Sequence, residues 1–297
     1  MWLPLVLIAT IVTGITLVFA KQSSKLNGAY RTTIFWFFWH CLMMVIFIAI
    51  IRPEFILEFN IKDAINMLPL IIIQTLAFVF AIKALEYAKV SLVTPIQRVS
   101  VIVTIMIGVF FLNDQVTIVQ LIISALLLGL VIMLGVSANK EKNGNKNLRL
   151  GMIYTFLSIP FLGATAALYK PYIDHFGDPL YVIFYTSLIA VIGLVIYLTI
   201  KKDWHLMGLS GLAAKWSLII VVVLDFIAIL AHRFSLVTGS VSVVAVITTA
   251  SLVVTLLVSR IRVEGKIVLG ERLTAYQYLL ITGVIVCVII LALIKSL

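Results

Sequence analysis

The chain has 297 residues, 63% of them hydrophobic and 11% charged, with a mean hydropathy of +1.22. Soluble domains are about 45–50% apolar and roughly 25% charged, so this composition excludes an ordinary soluble fold. The formal charge of +10 is scattered between apolar runs and forms no dense basic tract, which points to lipid headgroups and not to nucleic acid.

Apolar runs between charged or turn-rich breaks predict ten spans: 2–20, 32–51, 66–82, 90–112, 117–138, 151–169, 179–200, 216–233, 240–260 and 274–294. Each is close to the ~20 residues that cross the hydrocarbon core as a helix. The alternating ~10-residue segments of a transmembrane barrel are not seen. The opening stretch, "MWLPLVLIATIVTGITLVFA", lacks a basic leader and a small-residue cleavage site, and is read as a retained first helix. Cys41 and Cys287 fall within apolar runs as small buried hydrophobes, so neither a metal site nor a cofactor is expected.

The longest polar connection, "SANKEKNGNKNLR" (Ser137 to Arg149), lies near the midpoint and invites a test for duplication. "TGITLVFAK" (Thr13 to Lys21) matches "LGATAALYK" (Leu162 to Lys170) in Gly, Thr and Lys at an offset of 149. "VSLVTPIQRVSVIVT" (Val90 to Thr104) matches "VSVVAVITTASLVVT" (Val241 to Thr255) at seven of 15 positions, offset 151. After a six-residue shift, "LNDQVTIVQ" (Leu112 to Gln120) falls over "LGERLTAYQ" (Leu269 to Gln277). Each half then holds five spans, and an odd number inverts the second half relative to the first, as in many secondary transporters. The expectation is an all-α membrane protein with ten transmembrane helices as two inverted five-helix repeats. The first repeat is 1–138, the second 151–297, with a basic polar linker at 139–150.

Loop charge argues for an orientation. One face carries Lys21, Lys25, Arg31, Lys83, Lys89, Lys140, Lys142, Lys146, Arg149, Lys201, Lys202, Lys215, Arg260, Arg262, Lys266 and Arg272. The other carries Arg52, Lys62, Lys170, Arg233 and Lys295. The positive-inside rule then places both termini outside.

"KALEYAKVSLVTPIQR" (Lys83 to Arg98), the acidic turns "LNDQVT" and "LGERLT", and the Gln after each turn resemble the EamA-type family of the drug/metabolite transporter superfamily. The resemblance covers the whole chain. It implies a ten-helix carrier of small metabolites with a central cavity, often proton-coupled, and cytoplasmic termini, against the charge rule. Asn113-Asp114 stands where the family usually has Gly-Glu, and Val101 and Leu252 fall near places where relatives often carry proline.

A charge at the bilayer centre costs about 2.5–3.5 kcal/mol on insertion scales, so charged residues inside spans are candidates for function. Arg98, three residues after Pro95, suits a carboxylate or phosphate, or else serves structure by pairing with a carbonyl or carboxylate. Asp225 lies opposite Gln74 at the 151 offset; it either binds a cation or proton, or is the counter-ion of Arg98. His40 is a proton relay or a satisfied histidine, and Gln97 points about 100° away from Arg98 around the helix. Trp36, Tyr169, Tyr185 and Phe226 are read as packing or interfacial anchors, and His232 and Arg233 as snorkelling to the interface. In the turns, Thr117 and Thr274 are cap positions, with Asp114 and Glu271 as their acidic companions.

The leading expectation is a secondary transporter of a small organic metabolite, an amino acid or related organic ion, working by alternating access. It would sit as a monomer or homodimer in a bacterial inner or plasma membrane. The alternatives are a lipid-linked flippase subunit and an intramembrane enzyme. Neither a GxxxxGK[ST] nor an HExxH is present, so ATP hydrolysis and zinc-protease chemistry have no motif to carry them.

Overall fold

A computed structural model of the full chain describes residues 2–57, 60–88, 93, 96–114, 116–138, 146–208, 215–258, 262–263, 266–267 and 274–294. Pro95 and Glu271, two positions singled out by the sequence, lie outside the described residues. The helices are α1 (Trp2–Asn27), α2 (Ala29–Ile51), α3 (Ile61–Tyr87), α4 (Ser100–Phe111), α5 (Ile118–Ala138), α6 (Lys146–Phe176), α7 (Pro179–Lys201), α8 (Lys215–Thr238), α9 (Val241–Thr248), α10 (Ser251–Val258) and α11 (Ala275–Ile294). A two-residue antiparallel pair, β1 (Arg262–Val263) with β2 (Lys266–Ile267), lies between α10 and α11. Among the described residues, seven helical stretches are long and apolar enough to cross a membrane, one of them α9 with α10, and three more apolar helices are shorter.

Several helices outrun the apolar runs that announce them. The first run was expected to stop at residue 20, yet α1 continues to Asn27; the sixth was expected to stop at 169, yet α6 continues to Phe176. Each ends at a glycine with positive φ, Gly28 at 79° and Gly177 at 72°, a conformation that costs a residue with a side chain more. These two glycines are themselves 149 residues apart.

The charges in the extra turns are accommodated locally. Lys21 donates to the carbonyls of Leu85 and Ala88 (2.6 Å for the latter), capping the C-terminal end of α3. Its repeat equivalent, Lys170, donates to Val237 O at 3.3 Å at the end of α8 and to Asp174 at 2.6 Å.

Helix starts follow capping chemistry. Asn60 caps α3, Asp178 with Pro179 behind it caps α7, and Ser240 caps α9. The two turns with T-x-x-Q form reciprocal boxes. Thr117 N donates to Gln120 Oε1 (2.9 Å) and Gln120 N to Thr117 Oγ1 (3.2 Å). Thr274 and Gln277 repeat this at 2.7 and 3.3 Å.

Helix pairing is reciprocal between the halves. The most extensive contacts are α1 with α8 and α3 with α6, so the first helix of each half lies on the third of the other. Likewise α4 packs on α6 and α10 on α1, while α2 meets α7 and α5 meets α11. Side chains follow the same rule. Thr104 Oγ1 donates to Gly163 O (3.1 Å), and Thr255 Oγ1 to Gly14 O (3.0 Å). The matched glycines are therefore places where backbones approach closely, the usual use of small residues between membrane helices.

Candidate functional site

The fourth span of the first half and its counterpart in the second are interrupted. In the second half α9 and α10 are separated by a turn at Thr249 and Ala250; in the first, Arg98 and Val99 form a turn just before α4. The two turns match at the 151 offset, hydrogen bond for hydrogen bond. Val99 N bonds Ile96 O (3.1 Å) as Ala250 N bonds Ile247 O (3.0 Å). Val101 N bonds Arg98 O (3.1 Å) as Leu252 N bonds Thr249 O (3.2 Å). These i to i−3 bonds are a tightened turn inside a span. Val101 and Leu252 supply the N–H groups of the second bond of each pair, which a proline at either position would lack.

Arg98 reaches from one break to the residue after the other, its Nη2 donating to Ser251 Oγ at 2.5 Å. Its Nε is buried without an acceptor. Gln97 turns elsewhere, donating to Ser158 Oγ of α6 at 3.3 Å. The ion pair between Arg98 and Asp225 that the sequence allows does not form. The two side chains sit on separate networks, because α8 turns Asp225 toward α2.

Asp225 Oδ2 accepts from Trp36 Nε1 at 2.9 Å and lies 3.2 Å from His40 Nδ1. Trp36 and His40 are one turn apart on α2, so one helix face presents both. His40 is 3% exposed, and its Nδ1 has no aligned hydrogen bond despite the short distance.

Gln74 belongs to a third group. Its Oε1 accepts from Tyr169 OH at 2.5 Å, and Tyr169 also lies 3.3 Å from Thr186 Oγ1. The guanidinium of Arg233 stacks on the Tyr169 ring, its carbon 3.3 Å from the centroid, and Arg233 is 6% exposed. Arg233 therefore does not snorkel to the interface. Neither Arg233 nor Tyr169 stood out in the sequence as a polar-core residue. Their partnership spans 64 positions, and an Arg near the end of an apolar run looks like an ordinary boundary.

Both ends of the bundle are tied by side chains, and each has a cavity, the one beside Asp114 and Lys170 measuring about 440 Å³. At one end, loop and helix-end residues 52–66 are tied to 172–185: Arg52 to Asp178 (3.2 Å), Asn60 N to Tyr185 OH (2.8 Å), Tyr181 OH to Asp63 (2.8 Å), and Tyr172 OH to Asn66 O (2.8 Å). Asp114 ties the same end to α9, accepting from Ser240 Oγ (2.7 Å) and Ser242 N (2.9 Å). The opposite, basic end is tied as well, Tyr30 OH bonding Tyr197 OH (2.8 Å) and Asp203 (3.1 Å) and Arg31 donating to Gly208 O (3.3 Å), and a groove of about 550 Å³ lies beneath it between α2, α3 and α7. Its walls include Ile34, Phe37, Leu68 and Ile71, with Tyr30, Lys83 and Tyr197 at the basic end. Asp63→Ala is expected to loosen the end held by Tyr181–Asp63 by about 1 kcal/mol, roughly a fivefold shift toward an open form. A cysteine placed at Thr186 would report it as faster thiol labelling; an unchanged rate would show that Tyr181–Asp63 does not hold that end.

A helical membrane bundle with paired, interrupted helices at its centre is the architecture of a carrier-type protein. The EamA-like transporter family model matches residues 1–136 and again 149–293, and the chain belongs to that family. This is a transporter family within the drug/metabolite transporter superfamily, and not an enzyme family. No curated protein matches the chain in sequence. Twenty-five solved chains match it in fold. One, described as "Crystal structure of protein", aligns with a TM-score of 0.69 at 12% identity, covering 98% of this chain and 96% of its own. At that identity the likeness speaks to the fold alone.

Proposed function

We propose that the chain is a secondary transporter of a small organic metabolite, moving it by alternating access between the two ends of the bundle. The supporting observation is the pair of matched helix breaks, at Arg98-Val99 and Thr249-Ala250, with Arg98 spanning from one to the other. Interrupted helices expose backbone and polar side chains at membrane depth only where these line a cavity or are buried in protein. In this reading the ten spans form two inverted repeats, 1–138 and 151–297, joined by 139–150, in a bacterial inner membrane. Arg98 and Gln97 belong to the break and Gln74 to the polar wall beside it, while His40 and Asp225 stand apart from the substrate as a pair of their own.

The apolar groove beside a charged centre suits an amphipathic substrate such as an amino acid or related organic ion. Purified protein in liposomes, offered radiolabelled amino acids and organic acids with and without a pH gradient, tests this. Saturable uptake above protein-free vesicles is expected for at least one compound; none across the panel in either direction defeats the reading.

A further inference from the structure

We infer that His40 and Asp225 together form the site of a coupling proton. This rests on the transporter reading and deepens it. The two residues come from different halves of the chain, α2 and α8, and meet near the middle of both helices, with His40 Nδ1 3.2 Å from Asp225 Oδ2. Trp36 Nε1 already donates to that oxygen, which fixes the carboxylate in place. A proton added to the pair takes it from a net charge of −1 to zero, and a rotation of the imidazole would turn a protonated Nδ1 onto Oδ2 across the 3.2 Å. Without that proton, a ring lone pair or a misaligned N–H faces an anion, which matches the absence of an aligned hydrogen bond at Nδ1. Because the groups share the proton, they titrate as one unit.

The surroundings favour a small change in charge over a permanent ion pair. α1 carries no ionisable side chain before Lys21, and the neighbour from α3 in the adjacent network is the neutral Gln74. The other titratable or charged groups facing the pair are Cys41 on α2, Arg233 on α8 and Tyr169 on α6 beneath Arg233. Arg233 has no carboxylate within ion-pair distance among the described residues, so its charge balances the deprotonated dyad at longer range. The dyad is also linked to the groove. Phe37 lines the groove and stacks on Phe78 (5.2 Å), Phe78 packs edge-on to Trp36 (4.6 Å), and Trp36 holds Asp225. A solute entering between α2 and α3 presses on the same aromatic layer that positions the proton site.

Two measurements test this on the full chain. In liposomes, using the panel compound that wild type transports, His40→Gln and Asp225→Asn should lose accumulation driven by a pH gradient. Both should keep exchange of preloaded for external compound at equal pH. Gradient-driven accumulation at wild-type levels in both variants overturns the assignment, and loss of exchange as well as accumulation in both also overturns it, by making the pair structural or substrate-binding. In detergent, tryptophan fluorescence should show a pH transition in wild type that disappears in Trp36→Phe, His40→Gln and Asp225→Asn. If wild type moves no compound, the transporter reading fails, and this titration alone decides the proton site: a transition dependent on all three residues supports it, and none overturns it.

Discussion

Gly14→Val and Gly163→Val are each expected to cost most of the folded protein, while Gly129→Val and Gly193→Val stay near wild type. A Cβ on Gly14 would lie 2.5 Å from Val254 Cβ and 2.6 Å from Ser251 O. One on Gly163 would lie 2.5 Å from Ser100 O and 2.6 Å from Val103 Cβ. Each glycine meets a backbone oxygen, which no rotamer change can move, so the helices themselves must separate. Overpacking typically costs about 1–3 kcal/mol. Separation would also strain the Thr104 and Thr255 hydrogen bonds, about 0.6 kcal/mol each in membrane proteins. Because α4 on α6 and α10 on α1 also carry the two breaks, the damage reaches the centre of the bundle. By contrast, a Cβ at Gly129 or Gly193 meets nothing within 4 Å. Monodisperse yield on size exclusion and the thermal midpoint in detergent would measure this. Equal stability across the four variants would refute the close-approach argument.

Those two glycines also show what a single sequence discloses about such a fold. The match of "TGITLVFAK" with "LGATAALYK" preserved Gly, Thr and Lys, and all three do paired work. Gly14 and Gly163 admit the partner helix, Thr16 and Thr165 bond the carbonyls of Val12 and Phe161 in their own helices, and Lys21 and Lys170 reach the ends of α3 and α8. Local chemistry repeated at a fixed offset is legible because it survives in the letters. The breaks were less so. "TPIQRVS" and "AVITTAS" stand at matching positions, but only the first carries a proline, and nothing in the second announces where a helix tightens to i−3 bonding.

Side-chain partners were the least legible. Asp225 was open to pairing with Arg98 on charge alone, yet the direction of α8 gives it to Trp36 and His40. Trp36 looked like packing because an indole in an aromatic run usually is; its N–H became visible only against a carboxylate 189 positions away. Hydropathy reports depth and repeat offset reports equivalence. Neither reports rotation about a helix axis, which decides which polar groups meet.

Arg98→Ala is expected to abolish most transport while leaving the fold intact, and the reason lies in what Arg98 lacks. Its contact with Ser251 Oγ occupies one nitrogen, its Nε is buried without an acceptor, and no carboxylate among the described residues is within ion-pair distance. Inserting an arginine at membrane depth costs about 2.5–3.5 kcal/mol, and one neutral hydroxyl acceptor recovers only about 1.5–3 kcal/mol. Removing the side chain therefore releases a desolvation penalty roughly as large as the bond it breaks, so the thermal midpoint should stay level or rise. A substrate anion or carbonyl held by the free guanidinium edge would lose a charge-assisted bond of about 1.5–3 kcal/mol, a fall of roughly ten- to a hundredfold in apparent affinity. Arg98→Lys should recover part of it, since an ammonium keeps the charge and loses the fork. The readings are radiolabelled uptake and the melting curve, taken on the same preparations. Wild-type uptake by Arg98→Ala would remove the break as the binding site; a collapsed midpoint would make Arg98 a structural tie between the two breaks.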